Sequence, residues 1–319
     1  MLAEFEVKAA AVPQGHGGVG GESGLTQPPV IPEFQTSQIL LNASLQTGVP
    51  VQSVLEFAFQ REELFKLADS LRDEYATAEP FPHVVINDFL PPEVLEPILA
   101  EFPEPGQTDW QTFDTSREVK LALANTELMG PATRHLLAEF NSGVFVDFLE
   151  RLTGIEGLIP DPYYAGGGLH QIRTGGYLKV HADFNRHARL NLDRRLNGLL
   201  YLNKGWQEDW GGHLQLWNKD MSECVHRVLP VFNRFVVFST TDDANHGHPD
   251  PLTCPADRAR RSMALYYYSN GRPSLEASED HTTLFKHRPG EQWNSKPRQV
   301  IKRWVPPAVS DFVARRRSR

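Results

Sequence analysis

At 319 residues, 40% hydrophobic and 10% aromatic, the chain can build the core of one large domain with extensions, or of two small ones. Lys and Arg total 32 against 40 Asp and Glu, a formal charge of −8, which argues against a general nucleic-acid binder. The two cysteines, Cys224 and Cys254, form no CxxC pair and suggest neither a disulfide scaffold nor a thiolate zinc knuckle, so a reducing compartment fits them.

The first residues, MLAEFEVKAAAVPQG, lack a basic stretch followed by an apolar run of signal-peptide length, and no segment approaches the roughly 20 apolar residues of a membrane helix. A cytoplasmic protein without a membrane partner is expected. Residues 1–50 are rich in Gly and Pro and hold no Trp or Tyr, which predicts a disordered tail. Residues 51–80 carry an amphipathic helix pattern, with Phe57, Leu64, Leu67 and Leu71 on one face. FPHVVINDFL then reads as a strand entering the main domain, and Pro131 and Ser142 start two further helices, the second with Phe145, Phe148, Leu149 and Leu152 as its apolar stripe.

After Gly154 short strand-like runs recur between Gly, Pro, Asp and Asn turns: GLHQIR, YLKVH, RLNGLLYLN, GGHLQLW, RFVVFST and RSMALYYYS. Close spacing of many short strands predicts a sandwich or barrel over residues 81–275. A polar, proline-broken extension, 276–319, ends in FVARRRSR, read as a solvated tail.

His181 and Asp183 stand two apart in GGYLKVHADFN, so an extended strand projects both to one face. A second H-x-D, His248 with Asp250, lies among prolines and makes a poorer platform. His246 follows the strand RFVVFSTT and is the favoured third donor, with His248 as the alternative. Two histidines and one carboxylate on one octahedral face are associated with non-haem Fe(II) oxygenases. Arg261, 15 residues after His246, is the expected partner for a ligand carboxylate, and Tyr201, which shares a strand face with Asn197 and Leu199, could add a hydroxyl. Single histidines such as His83, His135, His226 and His287 are read as surface or core residues.

The ordered blocks HADFN, LLYLNKGW, GGHLQLW, PVFNRFVVFS, NHGHPDPL and RRSMALYYY resemble the prolyl-4-hydroxylase-like branch of the Fe(II)/2-oxoglutarate oxygenases, over residues 80–272. The resemblance implies a mainly β fold, a double-stranded β-helix (jelly roll, cupin-like) with supporting N-terminal helices. It implies Fe(II) on His181, Asp183 and His246, with 2-oxoglutarate held by Arg261 and assisted by Tyr201. Arg260 and Arg258 are the lesser candidates for that anchor. O2 is the other co-substrate, and ascorbate is an accessory reductant on which the family can draw.

The implied reaction is hydroxylation of an unactivated C–H bond of an amino-acid side chain, free or peptidyl, with release of succinate and CO2. Retention of a carboxylate at Asp183 favours hydroxylation over halogenation. Oxidation of a small biosynthetic metabolite is the alternative within the same chemistry. A non-catalytic metal-binding jelly-roll sensor is the alternative in a different class, and a pure metal binder has no need of the arginine and tyrosine. A zinc hydrolase would need a general base, and no HExxH motif is present.

Overall fold

The computed structural model describes residues 57–273, 276 and 278–292. The expected disordered tail over 1–50 and the basic C-terminal end fall outside them. Helix α1 (Arg61–Thr77) begins after Gln60 and turns Leu64, Ala68 and Tyr75 into the core, with Leu67 and Leu71 packed beside them. Phe57, expected on the same face, instead precedes the helix and is 69% exposed. Gln60 has extended backbone angles, φ −101° and ψ 121°, so the 3.6-residue period has no helix to act on before it.

Strand β1 (His83–Ile86) and helix α2 (Pro92–Glu101) lead into β2 (Gln111–Asp114) and β3 (Glu118–Leu123). Helices α3 (Pro131–Phe140) and α4 (Gly143–Thr153) follow. Pro131 sits at the start of α3, where its missing N–H costs nothing. The Ser142 hydroxyl accepts from the Phe145 amide at 3.4 Å, and Gly154, at φ 71°, closes α4 in the left-handed region. The α4 stripe of Phe145, Phe148, Leu149 and Leu152 is fully buried.

The remaining strands are β4 (Ile159–Pro160), β5 (Gly168–Arg173), β6 (Tyr177–Ala182), β7 (Asp193–Tyr201) and β8 (Leu214–Trp217). They continue with β9 (Cys224–Val228), β10 (Phe235–Ser239), β11 (Asn245–His248), β12 (Ala259–Ser269) and β13 (Leu284–Phe285). Their main path is β1-β10-β7-β12-β5-β3-β6-β11-β8-β9, with antiparallel pairing throughout. β3 pairs with both β5 and β6 and so joins two layers.

The layers face each other across Tyr201, Val236 and Phe238 on one side and Leu214, Leu216 and Val228 on the other. The opposite face of the first layer, Leu196, Leu200, Phe235, Met263 and Leu265, packs on the helices. Each fully buried leucine there contributes about 2 kcal/mol from apolar burial. The fold is a mainly β jelly roll, a double-stranded β-helix with helices against one sheet. Among the described residues no helix is long and apolar enough to cross a membrane.

The described part of the C-terminal segment lies against β6. Leu284 and Phe285 pair with Ala182 and His181, and Glu291 meets the Lys179 ammonium at 2.5 Å.

Candidate active site

Strands β6 and β11 are neighbours and place His246 opposite His181. Asp183 follows two residues after His181 and shares its face, as strand alternation requires. The ring centroids of the two histidines are 4.4 Å apart, and one donor atom from each of His181, Asp183 and His246 lies within 4.8 Å of the others. His181 Nδ1 donates to the Lys179 carbonyl at 2.8 Å, and His246 Nδ1 donates to the Ala244 carbonyl at 2.9 Å. With Nδ1 engaged in this way, the Nε2 atoms of both rings point at Asp183, 3.6 and 3.4 Å from its two oxygens. Burial, then His181, push the His246 imidazole down to about 4, so it is neutral near pH 7 and able to donate its lone pair to a cation.

Gly247 lets β11 come this close. A Cβ there would fall 2.8 Å from the Leu178 carbonyl oxygen, at the irregular pairing between His246 and His248. His248 itself ends β11 opposite Leu178 and is not among the grouped donors. Asp250 of the second H-x-D pairs outward with Arg288 and is 60% exposed.

The carboxylate is held from across the barrel. Asn197 Nδ2 donates to Asp183 Oδ2 at 2.7 Å, and Arg194 Nη2 lies 3.1 Å from the same oxygen. Arg194 is 1% exposed, bonds Asn197 Oδ1 as well, and stacks on Tyr266 with its guanidinium carbon 3.5 Å from the ring centre. Burial by itself would raise the Asp183 carboxyl, but Arg194, then His246 and His181, outweigh it and hold it well below the usual carboxylate range. Asn197 is on the inward face that alternation predicts for it with Tyr201. Arg194 is inward because of a bulge: Tyr267 pairs with Leu196 and Tyr268 with Arg194, so β7 carries one extra residue and its facing reverses. Regular alternation would have put Arg195 there.

The expected anchor, Arg261, is on the wrong side. It pairs with Glu104, lies over the Phe102 ring and shares its parity on β12 with Met263, Leu265 and Tyr267, which pack on the helices. Arg260 takes the inward face instead and is buried. Its Nε donates to the Gly212 carbonyl at 2.8 Å and its Nη2 to the Tyr201 hydroxyl at 3.2 Å. No acidic side chain among the described residues forms a salt bridge with it, and burial lowers its affinity for a proton. The sequence did hold a signal for this: the stripe of Met263, Leu265 and Tyr267 has to face the helices, which leaves Arg260, Ser262 and Ala264 for the interior.

Residues 167–268 match the 2OG-Fe(II) oxygenase superfamily, a span that contains the three donors, Tyr201 and Arg260. The chain carries a 2OG-Fe(II) oxygenase domain.

No curated protein matches the sequence. Among solved structures, the oxygenase domain is similar to a prolyl hydroxylase from Trichoplax adhaerens in complex with a hypoxia-inducible-factor oxygen-degradation-domain peptide. That pair shares 19% identity over 70% of this chain and 99% of the other, with a TM-score of 0.49. It is also similar to a Pseudomonas putida prolyl-4-hydroxylase, with 21% identity over 65% of this chain and 100% of the other and a TM-score of 0.43. A prolyl 4-hydroxylase from Phytophthora capsici gives 23% identity, 67% of each chain and a TM-score of 0.43.

The donor set of the oxygenase domain fits Fe(II): two imidazoles, each with Nδ1 held from behind by a backbone carbonyl, and one ionised carboxylate. Three donors grouped on one side leave coordination positions for co-substrates. Arg194 and Asn197, the residues behind Asp183, are those the motif did not reveal. They orient the carboxylate, as outer-shell partners of metal ligands do.

Proposed function

We propose that the chain is an Fe(II)- and 2-oxoglutarate-dependent hydroxylase acting on an unactivated C–H bond of an amino-acid side chain, free or within a peptide. The observation that carries the co-substrate reading is Arg260, a buried guanidinium with no acid partner among the described residues, bonded to Tyr201 and facing the same interior as His181, Asp183 and His246. A buried charge without a partner is costly, and a ligand carboxylate would supply the partner in a bidentate pair. A metal-binding sensor has no use for this group.

In the reaction, substrate R–H, O2 and 2-oxoglutarate give R–OH, succinate and CO2. The bound iron, with its co-substrates, supplies the oxidising chemistry. His181, Asp183 and His246 hold the metal, Arg194 and Asn197 keep Asp183 ionised and oriented, and Arg260 with Tyr201 binds the far carboxylate of 2-oxoglutarate. The apolar layer of Leu214, Leu216, Val236 and Phe238 walls the interior and limits water there. Retention of Asp183 as a ligand favours transfer of a hydroxyl over that of a halide, and the sequence resemblance favours an amino-acid side chain over a small biosynthetic metabolite.

The test is anaerobic reconstitution with Fe(II), followed by O2 and 2-oxoglutarate, with succinate quantified alone and with proline-containing peptides or free amino acids. Succinate formation that rises with one of these substrates is expected. Folded, iron-loaded protein that forms no succinate under any condition would overturn the reading.

A further inference from the structure

His248 stands outside the group of three donors, yet it is one of the most enclosed polar side chains in the domain, 3% exposed. Among the described residues neither Nδ1 nor Nε2 has a hydrogen-bond partner, and both atoms are buried. An imidazole in either tautomer has one N–H to give and one lone pair to fill. Leaving such groups unpaired in a protein interior costs about 1–3 kcal/mol each. His181 and His246, by contrast, both have Nδ1 tied to a backbone carbonyl.

The surroundings point to the kind of partner His248 lacks. It is two residues past His246 on β11, a step of about 6–7 Å along a strand. Its neighbour Gly247 pairs with Gln215 on β8, and three residues earlier the Gly212 carbonyl accepts from Arg260 Nε, so the end of β11 at His248 runs toward the buried arginine. Among the described residues neither ring nitrogen has a carboxylate partner. Asp183 is engaged by Arg194 and Asn197, and Glu118 is paired with Lys120 at 3.1 Å. His248 thus shares an interior rich in donors and poor in acceptors with the buried arginine assigned to the co-substrate.

We infer that His248 is a further co-substrate contact, donating one ring N–H to an oxygen of the dicarboxylate held by Arg260 and Tyr201. The inference rests on the 2-oxoglutarate reading and deepens it. Three donors from three strands, Tyr201 on β7, His248 on β11 and Arg260 on β12, then converge on one anionic ligand. The sequence motif NHGHP thereby has two uses, with His246 for the metal and His248 for the acid.

The experiment is calorimetric titration of Mn(II)-loaded protein with 2-oxoglutarate under anaerobic conditions, which reads binding without turnover. His248→Leu is expected to weaken 2-oxoglutarate roughly tenfold or more, the loss of one hydrogen bond to a charged group, at an unchanged one-to-one metal content. His248→Gln, which keeps an N–H donor, should recover part of that loss. Wild-type affinity in His248→Leu would overturn the contact, and loss of Mn(II) in both variants would assign His248 to the metal instead. If wild-type protein retains Mn(II) but binds no 2-oxoglutarate, the co-substrate reading falls, and this inference with it. Should His248→Leu fail to fold, 15N-histidine spectra of Zn(II)-loaded wild-type protein decide the question. Added 2-oxoglutarate should shift a ring-nitrogen signal that is missing in His248→Gln, and no such shift would overturn the contact.

Discussion

Arg260 Nη2 donates to the Tyr201 hydroxyl across 3.2 Å inside the barrel, while Arg261, the next residue, pairs with Glu104 on the other face of the same strand. The two arginines should therefore respond differently to replacement. Arg260→Gln is expected to raise the 2-oxoglutarate concentration needed for half-maximal succinate formation roughly tenfold to hundredfold, the range for a lost charged hydrogen bond. Arg261→Gln should leave that concentration near wild type and cost no more than about 1 kcal/mol of stability, as an ion pair with a half-exposed acid does. Steady-state kinetics and denaturant melts on both variants check this, and a larger kinetic effect from Arg261 would refute the assignment.

The two H-x-D pairs give a second contrast. Asp183→Ala removes a partly buried donor that is 3.4 and 3.6 Å from two imidazole nitrogens, and should abolish iron retention on gel filtration. Asp250→Ala cuts an outward pair with Arg288 and should retain iron stoichiometrically. Metal analysis of the purified variants distinguishes the two.

Arg194 is expected to matter without touching the metal. Arg194→Met keeps much of the stacking volume against Tyr266 but leaves Asp183 without its main counter-charge. Metal affinity should fall by roughly 10- to 100-fold, as for other outer-shell partners. The metal-free protein should also lose on the order of 3 kcal/mol, because one half of a buried pair is left behind. Competition titration with a chelator and chemical denaturation measure the two effects. Unchanged values in both would show that Asn197 alone holds the carboxylate.

The pH dependence of the metal-free protein follows from its buried and partly buried imidazoles. His83 and His248 are held below the ordinary imidazole range, His170 is pushed down to about 3 and His246 to about 4, with burial the largest cause in each case. An unfolded histidine titrates near about 6.5, so between that pH and the lower folded values the unfolded chain binds more protons. Stability from these groups is complete above the unfolded value and is lost as pH falls through the window beneath it. Melting temperature should drop steadily from pH 7 to pH 5. His246→Asn should flatten part of that slope, whereas a flat wild-type profile would contradict the burial of these rings in the neutral form.

The C-terminal strand supports the site from outside the oxygenase span. The Phe285 ring centroid is 5.5 Å from that of His181, and the two residues are cross-strand partners. Phe285→Ala should speed metal loss to a chelator several-fold while leaving the far-ultraviolet spectrum unchanged, and stopped-flow chelation reads it.

Much of this was readable in the chain. The strand runs of β5, β6, β7, β8, β10 and β12, the cap at Ser142, the apolar stripe of α4 and the pairing of His181 with Asp183 all follow from local patterns with a fixed physical period, whereas β9 and β11 were not read from the sequence. The inward face shared by Asn197, Leu199 and Tyr201 follows from such a pattern too. These features depend on neighbours in sequence, and alternation or capping chemistry is enough to specify them.

What only the tertiary structure decided are the facings that alternation leaves open. A period of two says that Arg260 and Arg261 point opposite ways, but not which way is in. Packing of Met263 and Leu265 on the helices settles that. The bulge opposite Tyr267 and Tyr268 turns Arg194 inward against the regular pattern, because the extra residue exists only in the pairing of two distant strands. The pairing of His246 with His181 likewise separates it from His248, two residues away and chemically identical. In each case the deciding quantity is the register between strands far apart in sequence, which no local pattern encodes.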